Sequence, residues 1–168
     1  MNTMTFQHDI LPLKNIIFRT ALRIIPNREE AQDIVQDTLL KLWQNRAELD
    51  RVSNLESFAL TMARNLAIDR KKKMEHRNIS FDEALHDRTD EWQLTAQQQM
   101  EHQERYGAIR QAIDSLPEKQ RTVLHLRDVE GKPYKEIAAI MSLTESDVKV
   151  TLFRARNQLK EMLKKSHK

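Results

Sequence analysis

Apolar residues recur along this chain at helical spacing, and few stretches alternate as a strand would. From Thr5 to Ile25 the set Ile10, Leu11, Leu13, Ile16, Ile17, Ala21, Leu22, Ile24 and Ile25 predicts a first helix. Pro12 must lie near its start or kink it, and Pro26 stops it. Asn27 followed by Glu30 has the form of a capping box opening a second helix. There Ala31, Ile34, Val35, Thr38, Leu39, Leu42 and Trp43 fall on one buried face, which leaves Asp33, Gln36, Asp37 and Lys41 outside it. After the polar loop "NRAELDRVSN", a third helix from about Leu55 to Arg77 turns Leu55, Phe58, Ala59, Met62, Leu66 and Ala67 inward.

The pattern is then lost. Residues 78–103 are acidic and Gln-rich and read as a linker, with an irregular loop inside one domain as the alternative. Four further helices follow. One ends at Asp114, and the next opens at Ser115, where Ser115 and Glu118 fit a capping box around Pro117, and runs to about Val129. "EGKP" breaks the chain, Tyr134 to Met141 forms a short helix, "SLT" turns, and a long helix starts at Glu145 and reaches about Leu163. Val148, Leu152, Ala155, Leu159 and Met162 are its inward stripe.

Composition sharpens this to an all-α protein of two small helical domains: three or four helices over residues 1–77, four over 104–168, and the linker between. Two glycines and four prolines in 168 residues give a sheet few turns, and the low aromatic share puts the core on aliphatic packing. The net charge of +3 is unevenly spread: residues 1–75 carry +2, residues 76–104 carry −5, and residues 105–168 carry +6. Two segments can therefore face a polyanion and the one between them cannot, unless all three are simply solvated. The absence of cysteine excludes disulfides and thiolate metal sites. No apolar run approaches a membrane span and "MNTMTFQHD" lacks a signal pattern, so a cytoplasmic setting without membrane insertion is expected.

Candidate chemistry concentrates in two places. The last two helices have helix-turn-helix proportions, with Ile137, Ala138 and Met141 packing on Val148 and Leu152 and a polar face offering Lys149, Thr151, Arg154 and Arg156 to DNA. A plain helical hairpin with solvated cations has the same pattern. The third helix closes on Arg64, Asn65, Asp69, Arg70, Lys71, Lys72 and Lys73; its four consecutive cations favour a polyanion or merely complement the helix dipole, while the Asn65 amide can pair with a base edge. Six scattered histidines show no metal-ligand spacing, no glycine-rich phosphate loop exists, and nothing points to a catalytic residue, a metal or another cofactor.

The blocks "NREEAQDIVQDTLLKLWQN", "FALTMARNLAIDRKKK" and "LPEKQRTVLHLRDVEGKPYKEIAAIMSLTESDVKVTLFRARNQLK" resemble, in that order, bacterial RNA polymerase sigma factors of the small extracytoplasmic-function (ECF) type. The resemblance spans nearly the whole chain except the linker. It implies a transcription initiation factor, not an enzyme, that directs core polymerase to promoters. Asp33, Gln36, Asp37 and Lys41 match positions that dock on the clamp helices of the largest subunit, and the flap region is a second polymerase contact. Arg64 to Arg70, with the loop Arg51 to Asn54 and Lys71, Lys72 and Lys73, match the part that engages the −10 element and captures an unstacked base. Lys149, Thr151 and Arg154, with Glu145, Ser146 and Val150 beside them, match the part that reads the −35 element. The acidic linker would thread toward the active-site and RNA-exit channels. An anti-sigma factor, often membrane-anchored in this family, is the implied regulator.

The chain departs from the family's pattern where glycine is frequent near Ser142, a small residue or Thr near Asp147, and Arg near Thr151. A helix-turn-helix regulator binding an operator as a dimer, or a helical adaptor, has no need of the "DIVQDTLLKLW" block. Two acids stand at the tip of the reading helix, where phosphate would be expected. With Thr144 as N-cap, Asp147 falls at the third helical position and is expected to return the capping hydrogen bond. Glu145 is left as a candidate acceptor for cytosine N4.

Overall fold

The computed structural model describes residues 4–77 and 107–166, and every regular element among them is helical. Thr5 starts the chain into a wide turn over Phe6–Ile10: its hydroxyl accepts from the His8 N–H, and its own N–H donates to Asp9 Oδ2 at 2.7 Å. Pro12 then forces a tight 3-10 turn, Leu11–Leu13, before regular helix begins. The single helix expected from Thr5 is thus three pieces, and α1 is Lys14–Ile24. Helix α2 is Arg28–Gln44, followed by the single turn α3, Arg46–Leu49, inside the expected loop, and by α4, Leu55–His76. The 78–103 linker lies outside the described residues. Residues 107–114 form α5, Glu118–Leu124 form α6, which widens into a π turn over His125–Val129, and α7 and α8 are Tyr134–Met141 and Glu145–Ser166.

In the first domain α1, α2 and α4 enclose a small core. Ile17, Ala21 and Ile24 of α1 meet Ala31, Ile34, Thr38, Leu39 and Leu42 of α2, with Val35 and Trp43 partly covered at the margin. Thr38 satisfies its buried hydroxyl by donating to the Ile34 carbonyl at 2.7 Å. The inward face of α4 differs from the expected one. Ala59, Ala63 and Ala67, at i, i+4 and i+8, form a stripe of small residues on which α1 and α2 close, and Leu60 and Met74 are buried beside it. Phe58 falls off that stripe and is 40% exposed.

In the second domain Val123, Leu126, Ile137, Ile140, Val148, Leu152 and Ala155 form the core, with Leu159 and Met162 partly buried along α8. The Ser115–Glu118 capping box is absent. Pro117 occupies the N-cap, the Ser115 hydroxyl donates to the Ala112 carbonyl at 2.8 Å, and the Glu118 carboxylate is used elsewhere. Asn27 does cap α2, accepting from the Glu30 N–H at 3.1 Å, but Glu30 does not return the bond, because its carboxylate faces Arg70.

The two domains pack against each other, α1 on α6 and the π turn, and α4 on α7. Among the described residues, four polar links cross the seam. Arg19 grips Glu130 with two bonds of 2.8 Å, and Arg64 grips Glu118 with two of 3.0 and 3.1 Å. Asn54 donates to Glu136 at 3.0 Å, and Lys132 pairs with Glu56.

Candidate nucleic-acid interface

Helices α7 and α8 form the expected helix-turn-helix. The turn depends on Ser142, whose φ of 56° and ψ of 45° place it in the left-handed region, the C′ position glycine usually fills. Thr144 then caps α8, its hydroxyl accepting from the Asp147 N–H at 3.1 Å. The Asp147 carboxylate makes no return bond and stays exposed at the first turn, so its structural contribution is to the helix dipole rather than to a closed box. Because Val148, Leu152 and Ala155 face the core, the opposite side of α8 is presented outward. Glu145, Ser146, Lys149, Val150 and Arg154 are exposed and Thr151 is half-buried at the edge.

Two aromatic residues that sequence reasoning passed over belong to this unit. Phe153 is 66% exposed on the same surface of α8 as Lys149, Val150 and Arg154. The signal was present: Phe153 lies outside the 148–152–155 stripe, and a large apolar side chain off the buried face has no core to enter. Tyr134 lies behind the surface, with the Arg127 guanidinium 4.3 Å above its ring and the Lys149 ammonium 5.5 Å away. Arg156, by contrast, is held at the surface by Asp128, donating to it twice at 2.6 and 3.1 Å, which raises its pKa. It does not join the outward face.

The basic end of α4 is divided around the helix. Arg70 is drawn to α2, donating to Glu30 at 3.0 Å, Asp33 at 3.3 Å and Asp37 at 3.1 Å. Lys71 points to the second domain, where burial and the nearby Arg121 charge lower its pKa. Asn65, Asp69, Lys72 and Lys73 remain exposed, and Arg64 is held by Glu118. On α2 the acids Asp33 and Asp37 are joined through Arg70, with exposed Gln36 and Lys41 alongside. The four polar positions thus do form one surface, but the ion cluster of Arg70 with Glu30, Asp33 and Asp37 ties it to α4. At the far end of the second domain Leu124, Leu159 and Leu163 line an open groove of about 410 Å³, rimmed by Lys160 and Lys164.

Sequence comparison places known relatives beside this geometry. Residues 10–77 match the family model "Sigma-70 region 2" and residues 106–159 match "Sigma-70, region 4". RNA polymerase sigma factor YlaC of Bacillus subtilis is 30% identical over 90% of this chain and 86% of its own length. The chain is an RNA polymerase sigma factor of the ECF type. ECF sigma factor EcfG of Rhodopseudomonas palustris is 29% identical over 96% of this chain and 86% of that protein. In structure, the sigma factor RpoE of Bartonella quintana, solved in complex with the anti-sigma factor NepR, superposes with a TM-score of 0.69 at 24% identity, covering 95% of this chain and 96% of that one. This likeness supports the fold. Membership makes this sigma factor an agent of promoter-specific transcription initiation, with core polymerase and promoter DNA as its class of partners. No helix among the described residues is long and apolar enough to cross a membrane.

Proposed function

We propose that this sigma factor recognises promoters in two parts. Residues 1–77 bind polymerase and open the −10 element, residues 104–168 read the −35 element, and the acidic 78–103 segment connects them through the enzyme's channels. The observation that carries the reading is the outward face of α8. From that face Lys149, Thr151 and Arg154 would meet base edges and phosphates, with Glu145 and Ser146 at the helix tip and the exposed Val150 and Phe153 against thymine methyl groups. On α4, Arg64, Asn65, Asp69 and the cations at positions 70–73 serve the −10 strand, where contacts to an unstacked base offset the few kcal/mol that unpairing costs. Asp33, Gln36, Asp37 and Lys41 dock on the clamp helices, so that docking competes with Arg70 for the two carboxylates. The apolar groove with its lysine rim takes an apolar segment with acidic flanks from the flap region.

Arg64 cannot hold Glu118 and a promoter phosphate together, so promoter engagement requires the seam between domains to part. An anti-sigma factor, the type of partner seen with the Bartonella relative, would act by keeping it shut. The test is reconstitution with core polymerase on promoter fragments from the source genome. Specific transcripts are expected, reduced by Arg154→Ala and by Asp37→Ala through separate defects, in −35 recognition and in polymerase affinity. A protein that yields no promoter-specific transcript on any fragment does not work this way.

A further inference from the structure

A cavity of about 170 Å³ lies in the seam between α1 and the second domain. Arg19 and Arg23 line it from one side, and Arg110, Asp114 and His125 from the other. Its charge is unbalanced. Arg19 is neutralised by Glu130, but among the described residues Arg23 and Arg110 form no ion pair or hydrogen bond, and Asp114 is the one acid lining the cavity with them. Arg121 stands behind, 4% exposed, its Nη1 donating to the Asp114 carbonyl at 3.3 Å and its Nε without a partner. Burial, and then the neighbouring Arg110 and Arg121, lower the Arg23 pKa against the pull of Asp114.

His125 reaches the cavity with 3% of its surface exposed. Its Nε2 lies 2.9 Å from Glu130 Oε2, and its Nδ1 has no partner. Buried polar groups ordinarily have partners, and buried like charges repel one another at low dielectric. Three guanidinium groups against one carboxylate, with an unsatisfied imidazole beside them, are an arrangement that a small anion would complete.

We propose that this cavity binds a phosphate-type oxyanion, either inorganic phosphate or the phosphoryl group of a small phosphomonoester. Arg23 and Arg110 would take its oxygens from opposite domains, beside the His125 ring. The volume suits a group of this size, being several times the ~30 Å³ that one water occupies in the liquid. Because the donors come from both domains, the bound anion holds the seam closed, and by linkage any process that parts the domains weakens anion binding.

The experiment uses the full chain alone, so it is independent of whether promoter recognition is read correctly. Inorganic phosphate and phosphoserine are titrated calorimetrically near neutral pH at constant ionic strength, with chloride as the blank. Saturable one-to-one binding of phosphate is expected, about tenfold or more weaker in Arg23→Gln and in Arg110→Gln for the loss of one charged hydrogen bond each. It should be unchanged in Lys14→Gln, an exposed control on α1, with circular dichroism checking that each variant is folded. Phosphoserine binding as tightly as phosphate identifies a monoester site, and binding of phosphate alone identifies a free-anion site. No saturable binding, or equal binding by the wild type and both arginine variants, overturns the proposal.

Discussion

Glu118→Gln removes one charge at the centre of the seam and almost no volume. Glu118 accepts both bonds from Arg64 and also accepts from the Thr122 hydroxyl at 2.9 Å, a bond the glutamine oxygen can keep. The Arg64 and Glu118 side chains are 12% and 23% exposed, between a surface pair and a buried one. Unit charges 4 Å apart attract by roughly 4 kcal/mol at an effective dielectric constant of about 20, and desolvation cancels much of that. A charge-assisted hydrogen-bonded pair nets about 1.5–3 kcal/mol, and partial exposure selects the lower part, about 1.5–2 kcal/mol. The open-to-closed ratio should therefore rise about 10- to 30-fold.

The chain has no cysteine of its own, so Asn15→Cys on α1 and Asn157→Cys on α8, both exposed, carry a donor and acceptor dye cleanly. A urea titration below the unfolding transition brings domain opening on scale. Glu118→Gln should lower the midpoint, and Arg64→Glu and Glu118→Arg should each lower it further. The double swap should restore part of the loss, since a pair that couples is not additive. Equal midpoints for wild type and all variants, with no rescue by the swap, would refute the argument that this pair holds the domains together.

Other expectations concern single groups. Burial holds the His125 pKa at about 4 against the usual 6.5, so folding favours the neutral ring. The unfolded or undocked chain then binds the extra proton, and stability present above pH 6.5 is lost as pH falls toward 4, by up to about 3 kcal/mol at ~1.4 kcal/mol per pKa unit. Denaturation curves across that interval should show the loss, and His125→Gln should flatten it. Ser142→Gly relieves a left-handed backbone and should raise stability by about 1 kcal/mol, measured as a higher Tm with DNA affinity unchanged. Glu145→Ala should relax preference at one base pair of the −35 site by about 1–3 kcal/mol in competition binding with the holoenzyme, whereas uniformly tighter binding to all sequences would make Glu145 a mere phosphate repellent.

Elements with one clean buried face were legible in the sequence. Tyr134–Met141 and the start at Glu145 follow from apolar spacing and from the turn between them, and α2 from its stripe. Errors arose where two local signals competed. Pro12 divided the first helix because it cannot donate inside a continuous helix. Apolar spacing expects Phe58 inward, yet on α4 the alanines at 59, 63 and 67 make the inward face, since small residues allow α1 and α2 to approach closely. The Ser115–Glu118 box failed for a tertiary reason: the carboxylate meant for the cap is worth more against a guanidinium.

The outward face of α8 could be found because burying 148, 152 and 155 determines what is left outside. The seam could not. Arg19 and Arg64 meet acids 111 and 54 residues away, and pairs at such separations leave no period in the sequence. A run of cations looks like a single polyanion surface until each side chain's neighbour is known. Here Arg70 is directed to the acids of α2, while Arg64 and Lys71, on another face of the same helix, are directed to the second domain. The same residue types that suit DNA thus also close the molecule. Under the proposed reading, polymerase and promoter must supply enough binding free energy to replace the internal acids Glu118, Asp33 and Asp37 with external partners. Closure then lowers affinity for either alone by the fraction of molecules that are open, while polymerase that has already displaced Arg70 and parted the seam leaves less for DNA to overcome.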